Sequence, residues 1–331
     1  MRSLIKKIIP HGVFVKVEPL GHLLEAMLWQ ALAGFPARGL RVIGVTGTDG
    51  KTTTSTLIAQ MLRHSGKKVA MLTTISLDLG DGNGPQPNST RLTTMGSRQL
   101  VSKLKQVRAS GAEWLVLEVT SHALAQNRVW GIPFTIAAMT NIKHEHLDYH
   151  KTFENYRDAK KRLFTLTGKN KRGVGVGVIN QEDPSASLFA AEVPNSILYG
   201  TKTGDLVAKN IKQTASGSTY SVKTDDATYK ITCNLPGGFN VYNSLAALGV
   251  GRAAGLSQSE IEQGVSSLQS VEGRMARIDE GQDFEVIIDY AHTPDSFQKI
   301  FDEIKPTVRG KLVVVFGSAG RRDEAKRAEQ G

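Results

Sequence analysis

The segment 46–53, with the sequence TGTDGKTT, combines residue types that can hold nucleotide phosphates. It follows a short β-branched run, Arg41–Thr46, and opens a helical pattern, Lys51–His64. Glycines let backbone N–H groups turn towards phosphate oxygens, and a helix N-terminus adds its positive dipole. The lysine can reach the outer phosphates, and the first threonine after it can ligate magnesium. The sequence therefore predicts a phosphate loop made of Gly47, Thr48, Asp49, Gly50, Lys51, Thr52 and Thr53.

Acidic and histidine side chains follow two other predicted strands. Glu118 ends the apolar run 114–119, and a carboxylate at the carboxyl end of a strand suits magnesium, which prefers oxygen ligands. A second group, His144, Glu145, His146 and His150, follows the run 135–140. Four ionisable residues this close could bind zinc, but no nearby cysteine supports a zinc site. We expect His144 and His150 to lie on the surface.

Two further features of the sequence are open to more than one interpretation. Lys160 lies in a predicted helix beside Lys161 and Arg162, whose charges could lower its pKa and make its amine nucleophilic. The alternative is a solvated basic helix face. Asn240 and Asn243 stand one turn apart at a predicted helix start, where their amides could read the edge of adenine. Helix capping by Asn240 is the alternative, and both can hold together.

These residues must be positioned by an α/β architecture. Apolar runs at 41–46, 68–75, 114–119, 135–140 and 174–179 alternate with helical patterns, which predicts a parallel sheet. The stretch 206–233 then predicts an antiparallel meander at the sheet edge, and 240–254 another helix.

The end of the sequence predicts the opening of a second α/β unit. Its two strand candidates are Val286–Ile288 and 312–316, and two parallel strands cannot bury both faces of a sheet. The second domain is therefore expected to be cut short. The predicted organisation is an N-terminal basic and amphipathic extension, a nucleotide-binding domain, and a connector with the start of a second Rossmann-like domain, at residues 1–38, 39–270 and 271–331.

Composition limits the class of protein and its partners. A chain of 331 residues with 40% hydrophobic and 22% charged residues can form two domains with a buried core. One cysteine, Cys233, fits a reducing compartment, and we expect a cytoplasmic monomer.

No apolar run reaches the roughly 18 residues of a membrane span, so stable membrane insertion is not expected. The predicted helix at 20–35 either packs on the domain or touches a membrane surface weakly. The net charge of +10 comes without a nucleic-acid motif, so small anionic molecules are the expected partners.

The loop TGTDGKTT resembles the ATP loop of the Mur ligases, which form amide bonds through an acyl phosphate. Similar motifs follow in order along the chain: EVTSH (118–122), HLDYH (146–150), AK (159–160), FNVYN (239–243), GR (273–274), DYAH (289–292) and GRRD (320–323). The HLDYH run and EVTSHALAQNRV (118–129) resemble the family member that adds the third residue to the muramyl peptide. The resemblance implies an ATP- and magnesium-dependent ligase that adds diaminopimelate or lysine to UDP-N-acetylmuramoyl-L-Ala-D-Glu.

The resemblance also implies roles for individual residues. Lys51, His146 and Lys160 would be catalytic, and Lys160 would be a carbamate formed with carbon dioxide. Glu145 stands where the family usually has aspartate. By resemblance, the magnesium ligands are Thr52, Glu118, His146 and carbamylated Lys160. The muramyl dipeptide would be held by Thr93, Thr94, Thr120, Gln126 and Arg128. The nucleotide would be enclosed by Asn240, Asn243, Arg274, Asp289 and His292.

Two alternatives to this activity remain open. A folylpolyglutamate-type ligase shares the loop and the carbamate lysine, although HLDYH and the threonine pair disfavour it. A nucleotide-binding Mur-like subunit without independent catalysis is the other. Members of the family usually begin with a separate uridine-binding domain, and residues 1–38 are too few for one. From the expected truncation, this chain should bind Mg-ATP but ligate poorly.

Overall fold

The computed structural model describes residues 11–90, 92–171, 173–317 and 326–331. The basic segment 1–10 and the GRRD motif lie outside these residues. The strands are β1 Arg41–Thr46, β2 Val69–Leu72, β3 Ser76–Asp78, β4 Gln86–Pro87, β5 Trp114–Glu118, β6 Phe134–Met139, β7 Val176–Asn180, β8 Asn195–Gly200, β9 Leu206–Thr214, β10 Gly217–Lys223, β11 Thr228–Cys233, β12 Ala276–Ile278 and β13 Val286–Ile288. The helices are α1 His11–Leu32, α2 Lys51–His64, α3 Ser97–Ala109, α4 Ser121–Ala125, α5 Leu147–His150, α6 Phe153–Gly168, α7 Ala186–Ala190, α8 Phe239–Ala253, α9 Gln258–Ser266, α10 Pro294–Ile304 and α11 Lys326–Gln330, with a 3₁₀ turn at Lys305–Thr307.

Eleven of the described strands form one sheet in the order β11-β10-β9-β8-β7-β6-β1-β5-β2-β3-β4. The strands from β9 through β2 in this order run parallel to their neighbours. The two at each end pair antiparallel. This confirms the predicted parallel sheet with an antiparallel edge meander.

The register of the central strands creates one polar edge. Val45 of β1 lies beside Glu118 of β5, and Thr46 lies beside Met139 of β6. The phosphate loop, the Glu118 carboxylate and the segment after β6 therefore leave the sheet at the same end. That edge is where an open parallel sheet binds ligands.

Helices cover both faces of the sheet, as the near-continuous apolar strands require. On one face α2, α8 and α9 pack through residues such as Ile58, Leu245 and Ile261. On the other face α3, α6 and α7 pack through residues such as Leu104, Phe164 and Phe189. These two layers fix the base of α2, and with it the phosphate loop that precedes the helix.

The second unit differs from its prediction. Val286–Ile288 pairs antiparallel with Ala276–Ile278 and does not open a parallel sheet. The predicted strand at 312–316 is wrong, because the segment has no strand conformation and pairs with no strand among the described residues. An extended apolar run becomes a strand only when a neighbour supplies hydrogen bonds. Val315 of this run is 95% exposed.

Helix α1 covers the predicted amphipathic segment but packs with its more polar face. His22, Ala26 and Gln30 are buried, and the Gln30 amide donates to the Trp130 carbonyl oxygen at 3.1 Å. The apolar side chains of Leu24 and Leu28 in this helix are more than half exposed. None of the helices in the described part of the chain combines the length and apolar character needed to cross a membrane.

Candidate functional site

The phosphate loop needs glycine at two positions. Gly50 precedes α2 with φ of 79°, and a Cβ there would lie 2.3 Å from the Asn243 side-chain oxygen. Gly47 has φ of 149°, and a Cβ there would lie 1.8 Å from the Thr140 hydroxyl. Both positive φ values and both close approaches exclude larger residues. The loop is therefore shaped by its neighbours as well as by its own backbone.

Residues just after β6 hold the loop from below. The Asp49 N–H donates to Asn141 Oδ1 at 3.1 Å, and the Asp49 carbonyl accepts from Thr140 Oγ1 at 2.6 Å. The Thr48 hydroxyl shares a 3.0 Å hydrogen bond with the buried hydroxyl of Tyr156. The sequence reasoning missed Thr140, Asn141 and Tyr156. The first two follow the carboxyl end of a predicted strand next to β1, a signal that could have identified them.

Lys51 lies over the loop, as its position in the motif predicts. Its Nζ donates to the carbonyl oxygens of Gly47 at 3.1 Å and Thr48 at 2.7 Å. The ammonium group is therefore at the mouth of the loop, where the outer phosphates of a nucleotide would lie.

Glu118 is 1% exposed and is surrounded by hydroxyl groups. Its two carboxylate oxygens accept from Thr52 Oγ1 at 3.1 and 3.2 Å, and one accepts from the Thr74 N–H at 2.7 Å and hydroxyl at 3.0 Å. A carboxylate beside a hydroxyl is an oxygen donor set that fits magnesium. The described ranges contain no group of three or more histidine, cysteine or acidic residues that could hold a metal ion. Thr74, at the end of the strand predicted for 68–75, was missed.

Lys160 is buried, 2% exposed, directly behind the loop. Its Nζ donates to the Gly47 carbonyl oxygen at 2.6 Å and lies 4.6 Å from the centre of the Tyr156 ring. Burial, followed by the charge of Lys51, holds the pKa of Lys160 well below its usual value. The solvated basic face is therefore wrong for this residue. The expected cause is also wrong, because Lys161 pairs with Asp158 and Glu192 on the surface.

Three histidines form an aromatic cluster beside the loop. His122 contacts the rings of His146 and His150, at centroid distances of 4.7 and 5.3 Å. His150 is 7% exposed and shares a 3.0 Å hydrogen bond with the Ser121 hydroxyl, so its predicted surface position is wrong. His144 is exposed, as predicted. Burial, the largest cause in each case, lowers the pKa of the three clustered histidines to about 4.

This cluster predicts acid sensitivity of the metal-free protein. In the unfolded chain these histidines take up protons near pH 6.5, whereas in the folded chain they do so only near pH 4. The unfolded state therefore binds more protons between these values, and stability falls as pH falls through this window. The titration of His150 alone should make the free energy of unfolding in urea about 1 kcal/mol lower at pH 5 than at pH 7.5, after allowance for partial solvent screening.

The variant His150→Gln tests the assignment, since glutamine can keep a hydrogen bond to Ser121 but does not titrate. The slope of stability against pH should become shallower in this variant. An unchanged slope would show that His150 does not titrate in this window.

Glu145 connects the histidine cluster to the second unit. It is 8% exposed, and its oxygens lie 3.8 Å from His146 Nε2 and 3.6 Å from His292 Nε2. Burial alone would raise the pKa of Glu145, but the adjacent His292 and the charges of His146 and Lys51 lower it. The adjacent Glu145 carboxylate in turn raises the pKa of His292. Glu145 is thus an anion that holds His292 at the cleft.

The other two predicted residues of the second unit also face the cleft. Arg274 Nη2 donates to Thr52 Oγ1 at 3.2 Å, and its guanidinium lies 5.0 Å from the centre of the Tyr290 ring. Its buried Nε has no hydrogen-bond partner among the described residues. Such a donor fits an anion in the cleft. The Asp289 carboxylate accepts from the N–H groups of Met275 and Ala291, at 2.8 and 2.7 Å, and braces the turn that carries His292.

The two asparagines lie at the start of α8. Asn243 Nδ2 donates to Asn240 Oδ1 at 2.7 Å, and Asn240 Nδ2 donates to the Pro236 carbonyl at 2.7 Å. Gly238 occupies the N-cap position, so helix capping by Asn240 is wrong. Both amides line the cleft beside Leu235.

The five residues expected to hold a dipeptide form one hydrogen-bonded group. Thr94 Oγ1 donates to the Glu118 carbonyl at 2.9 Å and accepts from the Thr120 N–H at 3.0 Å. Thr93 accepts from the Thr74 hydroxyl at 2.9 Å. Arg128 donates from Nε to Gln126 Oε1 at 2.8 Å and from Nη1 to the Thr94 carbonyl at 3.0 Å. The edge of the Arg128 guanidinium that carries Nε and Nη2 therefore faces Gln126 in this structure.

A cleft of about 700 Å³ unites these groups. Among the described residues, six carboxylates and five lysine or arginine side chains line it, so a nucleotide triphosphate would need added cations to bind there. Gly47, Thr52, Gln126 and Lys160 do not line it and are buried behind its wall. The predicted residues that do line it are Thr48, Asp49, Gly50, Lys51, Thr53, Thr93, Thr94, Glu118, Thr120, Arg128, His146, Asn240, Asn243, Arg274, Asp289 and His292. Cleft residues missed by the sequence reasoning include His122, Lys143, Tyr290, Lys299 and Glu303.

Comparison with known proteins gives close relatives. A UDP-N-acetylmuramoyl-L-alanyl-D-glutamate–2,6-diaminopimelate ligase of Geobacillus thermodenitrificans (strain NG80-2) is 39% identical over 320 residues, which cover 96% of this chain and 65% of the relative. A solved structure of a ligase with the same activity in its name is 34% identical, with a TM-score of 0.67, over 88% of this chain and 58% of the other. The chain thus spans slightly less than two thirds of the curated relative's length.

A third comparison shows the fold alone. The folylpolyglutamate synthase of Mycobacterium tuberculosis, solved with ADP, has a TM-score of 0.69 but only 16% identity, over 86% of this chain and 69% of the other.

Two family models also match. Residues 45–251, more than half of the chain, match the Mur ligase middle domain, and residues 273–331 match the Mur ligase glutamate ligase domain. This chain belongs to the Mur ligase family.

Proposed function

We propose that this chain carries the ATP site and the reaction centre of an ATP-dependent amide ligase. The ligase adds the third amino acid, diaminopimelate or lysine, to UDP-N-acetylmuramoyl-L-Ala-D-Glu in peptidoglycan synthesis. The observation that carries the proposal is one cleft in which Lys51, Glu118 and His146 face Arg274 and the asparagine pair. The relatives of more than 30% identity carry the name of this reaction. The protein is then a cytoplasmic enzyme, with an ATP-binding domain at 39–270 and a second domain from 271.

The reaction consists of two transfers. A carboxylate oxygen of the dipeptide attacks the γ-phosphorus of ATP, and the bond from that phosphorus to the β-phosphate oxygen breaks. The products of this step are ADP and an acyl phosphate. The amine of the incoming amino acid then attacks the acyl carbon, loses a proton and expels inorganic phosphate. Such transfers need positioning and charge stabilisation more than covalent help from the protein.

The chain's own residues supply that positioning. The loop N–H groups and Lys51 hold the outer phosphates, and Arg274 approaches them from the opposite wall with an Nε that no described residue pairs. The asparagine pair reads adenine, and the group around Arg128 and Thr94 holds the dipeptide.

Two magnesium ions, when bound, neutralise phosphate charge. Glu118 with Thr52 would hold one, and His146 with Lys160 would hold the other. Lys160 takes part as a carbamate, because an amine that cannot coordinate as a cation becomes an oxygen ligand once carbon dioxide adds to it. Its burial favours the neutral, nucleophilic amine that this addition needs.

The folylpolyglutamate alternative rests on weaker grounds. The likeness to folylpolyglutamate synthase is one of fold, whereas the identity to the diaminopimelate ligase extends over most of the chain. The dipeptide group of Thr93, Thr94 and Thr120 also lies next to Glu118, where the carboxylate to be phosphorylated must reach ATP.

The test is a ligation assay with Mg-ATP, the muramyl dipeptide nucleotide and separate amino acids, read by mass spectrometry of the product and by ADP release. We expect slow formation of a product with the mass of a tripeptide nucleotide with diaminopimelate or with lysine, and none without ATP. A parallel reaction with a folate and glutamate should give no product. Glutamylated folate would establish the alternative ligase, and Mg-ATP binding without any product would favour a subunit without independent catalysis.

A further inference from the structure

The phosphate loop contains an acid where an anion must bind. Asp49 lies between Thr48 and Gly50, and its backbone is fixed by Asn141 and Thr140. The side chain lines the cleft and is 28% exposed. A carboxylate at this position repels the triphosphate that the loop would bind. The loop therefore needs a compensating cation.

Lys299 supplies a cation from the opposite wall. Its Nζ lies 3.5 Å from Asp49 Oδ2, and its side chain is 35% exposed. Lys299 belongs to α10, whose residues Ser296, Lys299, Ile300 and Glu303 line the cleft at helical spacing. One face of α10 is thus the second wall of the nucleotide site.

Other contacts hold α10 in place without this pair. Glu303 Oε2 accepts from the N–H of Gly238, the N-cap of α8, at 3.2 Å. Thr293 and Ser296 form a capping box at the start of the helix. A partly exposed ion pair adds little to stability. The position of Lys299 opposite the phosphate loop therefore calls for a role in ligand binding.

We propose that Lys299 is a positioning residue for the nucleotide phosphates, which acts by neutralising Asp49. With the pair intact, Lys51 and the loop N–H groups present a net positive surface to the phosphates. Without Lys299, the Asp49 carboxylate opposes them. The inference rests on the ATP-binding part of the proposed function and deepens it, because it makes α10 part of the phosphate site.

The test is a double-mutant cycle measured as Mg-ATP affinity by isothermal titration calorimetry. Lys299→Ala should weaken binding about tenfold. Asp49→Asn should strengthen binding several-fold, because the carboxylate that repels the phosphates is then removed. In the Asp49→Asn background, Lys299→Ala should weaken binding by clearly less than tenfold, since no carboxylate is left at position 49 for Lys299 to neutralise. Lys299→Arg should restore most of the affinity.

Two further measurements separate this role from a structural one. Adenosine, which lacks phosphates, should bind Lys299→Ala and the unsubstituted chain equally. Lys305→Ala removes the same charge from an exposed position just after α10 and should leave Mg-ATP affinity unchanged. Additive effects in the cycle, or an equal loss of adenosine binding, would overturn the inference. Failure of the unsubstituted chain to bind Mg-ATP would count against the proposed function instead.

Discussion

Replacement of Lys51 by alanine should weaken Mg-ATP binding at least about a hundredfold and remove nucleotide-dependent turnover. The ammonium group lies at the mouth of the phosphate loop, 3.1 and 2.7 Å from the Gly47 and Thr48 carbonyl oxygens. Among the described lysines that line the cleft, it alone belongs to the loop itself. Its loss leaves the carboxylates of the cleft opposed by fewer cations, so the triphosphate meets greater repulsion.

The fold should survive this substitution. The loop is fixed by Thr140, Asn141 and the packing of α2, none of which needs the lysine side chain. Circular dichroism and the urea midpoint should therefore match those of the unsubstituted chain. Calorimetry should show the loss of Mg-ATP affinity, and Lys105→Ala, which removes an exposed lysine from α3, is the control. A folded Lys51→Ala protein with unchanged Mg-ATP affinity would refute the assignment.

Glycines at the ends of secondary-structure elements explain why the phosphate loop and its flanking elements could be predicted from sequence. The predicted ranges Arg41–Thr46 and Lys51–His64 coincide with β1 and α2, because glycines end one element and open the next. The same reasoning gave the wrong result for 312–316, where apolar β-branched residues have no partner strand in the described chain. Apolar character predicts burial only when tertiary neighbours exist to provide it.

The site could be predicted where chemistry follows strand ends or family motifs. The site could not be predicted where burial, or contacts across the cleft, determine the position of a side chain. His150 is buried because α5 packs beside α6, which its polarity does not reveal. Lys299 meets Asp49 only because α10 crosses the cleft, 250 positions along the chain. Lys160 combines both cases, since its motif is visible in the sequence but the cause of its low pKa is visible only in the structure.

Lys160→Ala should abolish ligation, with a loss of turnover of at least about a thousandfold. The substitution removes the amine that carbon dioxide would convert to a carbamate. Addition of carbon dioxide forms an N–C bond and releases one proton, and the product keeps one N–H that can still donate to the Gly47 carbonyl. Burial and the nearby Lys51 charge favour the neutral amine that starts this addition. Burial lowers the pKa of His146, so that its ring would be a neutral partner ligand at pH 7.

The measurement combines activity with a direct signal for the modified lysine. Turnover of the unsubstituted chain should fall in carbon dioxide-depleted buffer and return when bicarbonate is added. ¹³C-labelled bicarbonate should give a protein-bound carbamate resonance that is absent in Lys160→Ala. Lys161→Ala is the matched control, because it removes the neighbouring lysine, which pairs with Asp158 and Glu192 on the surface. It should keep both the resonance and the activity, because its charge does not set the reactivity of Lys160. An unmodified Lys160 in an active Mg-ATP complex, with turnover indifferent to bicarbonate, would contradict the carbamate and leave the buried amine as a structural donor to the phosphate loop.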